Sequence, residues 1–269
     1  MKMAVVGHVE WIEFVGVERV PAQGEIVHAL EAWAEAAGGG AVAAVQLARL
    51  TGASTLFTAV GDDDYGRRVA PELGAHDVRV EAAVRTDPQR HGFTYVDAAG
   101  ERTITVIGER MGPRGADALP WHGLAEADGV YFVSGDVEAV RAARASRVLV
   151  ATARSLPVLE KSGVELDALV RSGSDEGERY RAGDLDPSPR LEVATEGARG
   201  GTYSVAGGRA CRYDAVPVPG AVQDTYGAGD SFAAGLTFGL AQGLSPEDAL
   251  ALGARCGAEA LARRGAHGT

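Results

Sequence analysis

One unbroken run, Asp224-Thr225-Tyr226-Gly227-Ala228-Gly229-Asp230-Ser231-Phe232-Ala233-Ala234-Gly235, gathers the residue types best suited to chemistry. A strand-like run over 215–219 precedes it and a long apolar helix over 231–242 follows it. Gly227-Ala228-Gly229 therefore sits where a loop enters a helix. Small residues let backbone N–H groups come close to a ligand, and the first N–H groups of a helix have no internal partner. Together with the helix dipole they favour an anion, above all a phosphate. A carboxylate beside an anion site, here Asp230, then needs a reason. Phosphoryl transfer supplies one: the carboxylate takes the proton of the attacking hydroxyl, while the amides of Gly227, Ala228 and Gly229 stabilise the charge in transit. The plainer reading makes Asp230 a helix N-cap and the glycines a tight turn.

The elements that must position this run alternate along the chain. Residues 2–6 form a short apolar run ending at Gly7, which predicts a buried first strand. Residues 11–15 and 25–35 read as extended, with Pro21-Ala22-Gln23-Gly24 as a turn between them. Gly38-Gly39-Gly40 precedes a small-residue helix over 41–50, but no Walker lysine follows, and no Gly-x-Gly-x-x-Gly follows a strand. Residues 55–60 predict a strand running into Gly61-Asp62-Asp63-Asp64, which reads more readily as an acidic helix start than as a metal site. Runs at 78–84, 91–97 and 102–108 read as strands, the last two joined as a hairpin through Asp97-Ala98-Ala99-Gly100. With 11–15 and 25–35 this hairpin predicts a small sheet outside the main one. Strand and helix patterns then alternate at 129–134, 137–145, 147–151 and 166–171, which argues for a parallel sheet covered on both faces. Residues 184–189 read as an exposed loop. A strand at 191–195 leads through Thr195-Glu196-Gly197-Ala198-Arg199-Gly200-Gly201 to another at 202–205. Ser245-Pro246-Glu247-Asp248 is a strong helix start, and that helix is predicted to reach about residue 264.

Composition narrows the functions available. The chain has 269 residues, 46% of them hydrophobic, room for one large α/β domain. A net charge of −11 speaks against a nucleic-acid partner, and no basic run suggests a membrane surface. The cysteines, Cys211 and Cys256, suggest neither a disulfide framework nor a metal site. The first residues run directly into a glycine and a charged segment rather than a signal peptide, and a cytoplasmic location is expected.

The string Asp-Thr-x-Gly-Ala-Gly-Asp-Ser-Phe-x-x-Gly at 224–235 resembles the C-terminal motif of the ribokinase (PfkB) family of carbohydrate kinases. The resemblance spans essentially the whole chain. It implies a three-layer ribokinase-like α/β fold: a mainly parallel central sheet with helices on both faces and a small β lid. Residues 1–269 would form a single kinase domain, with lid strands from about 11–35 and 91–108. It further implies ATP-dependent phosphorylation of a hydroxyl on a sugar-like small molecule, with Asp230 as the base. Thr195, Gly197 and Gly200 match the family's Thr-x-Gly-x-x-Gly turn along the nucleotide, and Gly253, Ala254 and Gly257 fall on the adenine wall. Asp224 and Thr225 would shape the loop, with Asp224 helping to hold a monovalent cation such as K⁺. Magnesium is implied as well, bound through water, with Asp175 and Glu178 nearest to it. A homodimer through the lid is also implied, with no nucleic-acid or membrane partner.

The sugar-facing half departs from the pattern. The family's sugar-binding Asp falls on Ile12. Glu10, two residues earlier on the same strand face, is its best replacement, whereas Glu13 would point away. Beyond Gly39 and Gly40, the family's Asn falls on Ala43. The inner Asp-x-Asn-x-Arg pattern keeps only Arg154, and the chain contains no Asn at all. Hydroxyl recognition uses paired donors and acceptors, so the family's common sugars are not the expected substrates. His8, directly after the first strand, joins Glu10 as a substrate-binding candidate. His91, Arg90, Arg102 and Arg110 are either solvated lid surface or a grip on a phosphorylated or acidic substrate. Two other readings differ in kind. A nucleoside kinase would need a base slot near Trp11, Trp33 or Phe93. A non-catalytic sensor would need the pocket but not Asp230.

Overall fold

Strand β1 (Met3–Val6) shows why two helical layers are needed. Its four side chains are all buried, with Met3 and Val5 in one apolar cluster and Ala4 and Val6 in another on the opposite face. The computed structural model describes residues 1–268. The remaining strands are β2 (Glu10–Gly16), β3 (Glu31–Ala37), β4 (Ser54–Gly61), β5 (Val78–Arg85), β6 (His91–Val96), β7 (Arg102–Ile107), β8 (Gly129–Phe132), β9 (Leu149–Thr152), β10 (Ala168–Ser172), β11 (Leu191–Thr195), β12 (Gly201–Val205) and β13 (Cys211–Tyr213). The helices are α1 (Gly39–Thr51), α2 (Asp64–Gly74), α3 (Val137–Ala143), α4 (Leu156–Ser162), α5 (Ala228–Ala241) and α6 (Pro246–Leu261).

Nine strands form the main sheet in the order β13-β12-β11-β10-β9-β8-β1-β4-β5. All its pairings from β11 to β5 are parallel, and only β12 and β13 join antiparallel. Helices α1, α2, α5 and α6 cover one face through residues such as Leu47, Leu73, Leu236 and Leu250, while α3 and α4 cover the other through Val140 and Leu159. Burying each such side chain contributes about 2 kcal/mol. A second sheet, β3-β2-β6-β7, stands apart, and its outer strand β7 is exposed along its whole length.

Several expectations need correction. Residues 215–219 form no strand, because Pro217 and Pro219 have no N–H to give a ladder. The extended run expected over 25–35 is a strand only from Glu31 onward. In the 184–189 loop, Leu185 and Pro189 are buried. Helix α6 stops at Leu261, short of residue 264, and β13 had no recognised signal. Helix α5 begins at Ala228 rather than Ser231, which moves Asp230 inside its first turn. Asp230 is therefore not the N-cap. Gly227 is, with φ of 72°, a left-handed conformation that glycine adopts without strain.

Candidate active site

The site forms where the C-terminal ends of β1, β8, β9, β10 and β11 meet the N-termini of α1 and α5, the usual place for ligands on a parallel α/β sheet. The first helical bond of α5 runs from the Ser231 N–H to the Gly227 carbonyl (2.9 Å). The amides of Gly227, Ala228, Gly229 and Asp230 are left without intrahelical partners. A Cβ at Gly229 would meet nothing within 4 Å, so that residue opens onto free space. At Gly227 a Cβ would come within 2.7 Å of Val42 on α1, which makes the small residue a condition of the two helix ends meeting. Gly39, in the first turn of α1, lies under the Asp230 carboxylate, and a Cβ there would approach Oδ1 to 2.8 Å.

Asp230 lines a polar cavity of about 520 Å³. Burial pushes its carboxyl up to about 6, the nearby Glu178 charge adds to the rise, and Arg154, Arg102 and Arg110 oppose it. His8 and Glu10 line the same cavity and are themselves buried. His8 Nδ1 is 3.1 Å from Ser134 Oγ, and its Nε2 is 3.6 Å from Glu10 Oε1. Burial holds the imidazole down to about 3, reinforced by Arg110, Arg90 and Arg154, so it is neutral at physiological pH. Burial also raises the Glu10 carboxyl, against the pull of Arg90 (Nε to Oε1 2.9 Å) and Arg110.

Arg154 reaches the cavity but is committed to two carboxylates, Asp175 Oδ2 at 2.5 Å and Glu178 Oε1 at 2.7 Å. Asp175 Oδ1 also accepts from the Gly177 N–H, and Glu178 Oε2 from the Ser172 N–H. Among the described residues no cluster of three or more His, Cys, Asp or Glu side chains is placed to hold a metal. This donor set fits an ion carried on nucleotide phosphates, with the protein reaching it through water, and not one held directly.

A second, mostly apolar cleft of about 510 Å³ lies on the other side of the α5 N-terminus. Thr195, Gly197, Gly200, Thr225, Ala254 and Gly257 line it, joined by Phe232 of the motif and by Tyr213 and Val218, to which the sequence gave no role. Thr195, Thr225, Ala228 and Gly229 border both spaces. Two of the proposed nucleotide residues lie elsewhere. Gly253 faces α5, where a Cβ would meet the Phe232 carbonyl oxygen at 2.9 Å. Asp224 is buried under the loop, Oδ1 accepting from Tyr226 N–H (2.8 Å) and Oδ2 from Gly265 N–H (3.2 Å). Gly40 packs against the His8 carbonyl and Ala43 lies in the core, so neither is among the cavity residues. Ile12 is wholly buried, and Glu13 points away and accepts from the Tyr65 hydroxyl. Trp11, Trp33 and Phe93 pack on Tyr65, Phe14 and Tyr95 respectively, and none of the three lines the cavity.

Sequence reasoning missed Tyr226 and Arg171. Tyr226 lies inside the motif, and its hydroxyl accepts from the Gly38 N–H at 3.0 Å, tying the two glycine loops together. Arg171 lies near the end of β10, where the strand opens into the cavity, and alternation along the strand gave no sign of it.

One space for a nucleotide and one for a small polar molecule, meeting at an anion-ready helix end beside a carboxylate, define a phosphotransferase acting on small molecules. The profile of the pfkB family carbohydrate kinases matches residues 1–156 and 159–269. The ribokinase of Arabidopsis thaliana is 22% identical over 306 aligned positions, covering 98% of this chain and 77% of that protein. A putative ribokinase from Agrobacterium tumefaciens superposes with a TM-score of 0.81 at 20% identity, covering 99% of this chain and 93% of its own. The adenosine kinase of Sinorhizobium meliloti does so with a TM-score of 0.74 at 19% identity, over 97% and 94% of the two chains. The chain belongs to the pfkB family of carbohydrate kinases. It is an ATP-dependent kinase of a sugar-like small molecule.

Proposed function

We propose that Asp230 is the general base of this kinase and that the amides of the α5 N-terminus receive the transferring phosphoryl group. The observation that supports this most is the position of Asp230, in the first helical turn and facing the same cavity as His8 and Glu10. ATP lies in the apolar cleft with its phosphates directed at Gly227, Ala228 and Gly229, through Thr195 and Thr225. The substrate hydroxyl attacks the γ-phosphorus, the bond to the ADP oxygen breaks, and the hydroxyl proton passes to Asp230. The amides stabilise the equatorial oxygens as charge builds on them. Glu10 and neutral His8 orient the sugar, and Arg154 fixes Asp175 and Glu178 beside the phosphates. Glu178 and Asp175 would reach the waters of a bound magnesium ion, which would supply neutralisation of phosphate charge. A monovalent cation beside Asp224 belongs to the same reading, since each carboxylate oxygen keeps a lone pair beyond its backbone hydrogen bond.

Residues 1–269 work as one kinase domain in which the smaller sheet closes the cavity as a lid. Two copies pair through that sheet, whose outer strand β7 leaves one edge unpaired, with Ile104 and Val106 turned to the cavity and Ile107 (51% exposed) on the other face. ADP release with ATP and magnesium, over a panel of sugars and sugar derivatives, tests the reaction. Release with at least one compound, abolished in Asp230→Asn, is expected. Undiminished release in that variant would remove Asp230 from the role of base.

A further inference from the structure

This acidic chain turns an excess of arginines toward its substrate. Five arginines, Arg90, Arg102, Arg110, Arg154 and Arg171, line the cavity that holds Asp230, against the carboxylates of Glu10, Asp175, Glu178 and Asp230. Two are already spent: Arg90 on Glu10, and Arg154 on Asp175 and Glu178. Arg171 lies at the end of β10 beside Thr195, whose hydroxyl donates to the Arg171 carbonyl at 3.4 Å, on the nucleotide side. Arg102 and Arg110 make no ion pair among the described residues. They come from β7 and the segment just after it, and so from the wall facing the sheet ends. The Arg102 guanidinium lies over the Tyr226 ring at 5.2 Å, which places it beside the motif loop. Arg110 also borders a further cavity of about 750 Å³, so the space beside it is not limited to a bare sugar ring. Burial lowers the Arg110 guanidinium, with Glu10 and Asp230 attracting its charge and Arg90 and Arg154 repelling it. Both Arg102 and Arg110 are exposed, and so are free to meet an anion that enters the cavity. A planar guanidinium suits the paired oxygens of a carboxylate or phosphate.

We infer that the substrate is an anionic sugar, its carboxylate or phosphate held between Arg102 and Arg110 while the hydroxyl to be phosphorylated faces Asp230. This rests on the kinase reading above and narrows it. It also accounts for the missing Asn and Asp positions, since an ionic anchor takes over part of the binding that paired hydroxyl contacts would otherwise supply.

The test compares neutral sugars with their uronic or aldonic acids and with their phosphate esters, in wild type, Arg110→Ala, Arg102→Ala and Arg110→Lys. The wild type is expected to prefer one anionic series over its neutral parents in kcat/KM. In Arg110→Ala and Arg102→Ala, KM for that series is expected to rise by at least about tenfold, with Arg110→Lys recovering part of the loss. KM for ATP is expected to stay within a factor of about two, below the tenfold that one lost ionic contact brings. The acid and phosphate arms tell the two anions apart. Equal use of neutral parents, or a rise in the ATP KM in place of the sugar KM, would overturn the inference. If no compound yields ADP, the kinase reading fails separately and thermal melting decides the anion site. Stabilisation by the anionic series alone, lost in Arg110→Ala, upholds it, and its absence rejects it.

Discussion

Asp230 shows how one position can serve chemistry at a cost to the fold. Its carboxyl is raised to about 6, chiefly by burial, so the native site holds a proton more readily than the unfolded chain. A base must be unprotonated. The rate at limiting substrate is therefore expected to be level above pH 7 and to fall tenfold per unit once pH drops below about 6, as a pH profile of kcat/KM would show. The stability sign runs the other way. Ionising a carboxyl whose native value is raised destabilises the fold, fully so above about pH 6 and not at all below the unfolded value of about 4. Asp230→Asn removes that ionisation. It is expected to melt higher than wild type at pH 7.5, with the gap closing toward pH 4, while kcat falls by roughly two to four orders of magnitude. His8 contributes no such titration near neutrality, because burial and three arginines keep it neutral.

At the scale of elements, the site depends on two helix ends meeting without side chains between them. Gly39 supplies that clearance, and Gly39→Ala would drive a methyl against Asp230 Oδ1. It is expected to lower kcat by at least about tenfold, with Tm changed by no more than a few degrees, because the adjustable partner is a carboxylate and not backbone. Capping shows the contrary case of a purely structural end. Ser245 accepts from the Asp248 N–H at 3.1 Å at the start of α6, and Ser245→Ala is expected to cost about 1 kcal/mol of stability in denaturant titration with kcat unaltered. Much of this level was legible in the sequence. Alternating apolar runs predicted β1, β4, β8 and β11, and the Ser-Pro start of α6 was plain. What stayed hidden were features set by tertiary context. The first turn of α5 looked like loop because Gly227-Ala228-Gly229 has low helix propensity, and its helical form depends on Gly227 seating against Val42. Strand β13 is three residues long and exists only by pairing with β12. That Arg154 lines the same cavity as Arg90, Arg102 and Arg110 also has no local signal, since it comes from a segment far from theirs in the chain.

At the scale of the whole molecule, the chain combines a net charge of −11 with a cavity rich in arginine. Local charge, and not the overall balance, then decides what enters the site. Among the described residues no helix is long and apolar enough to cross a membrane. The unpaired edge of β7 lies where the proposed lid would meet a second copy. A double substitution on the face of β7 turned away from the cavity, Thr105→Lys with Ile107→Lys, is expected to convert a dimer to monomer in sedimentation velocity while leaving far-UV circular dichroism unchanged. A monomeric wild type would contradict pairing through this sheet.

The measurement that bears most directly on the account is single-turnover phosphate transfer from ATP to the preferred sugar, in wild type and in Asp230→Asn at saturating concentrations of both substrates. The expected result is transfer in the wild type and a rate at least about a hundredfold lower in the variant, the usual scale of a positioned base, with ATP binding retained. Transfer at an unchanged rate in the variant would contradict the assignment of Asp230 as the base.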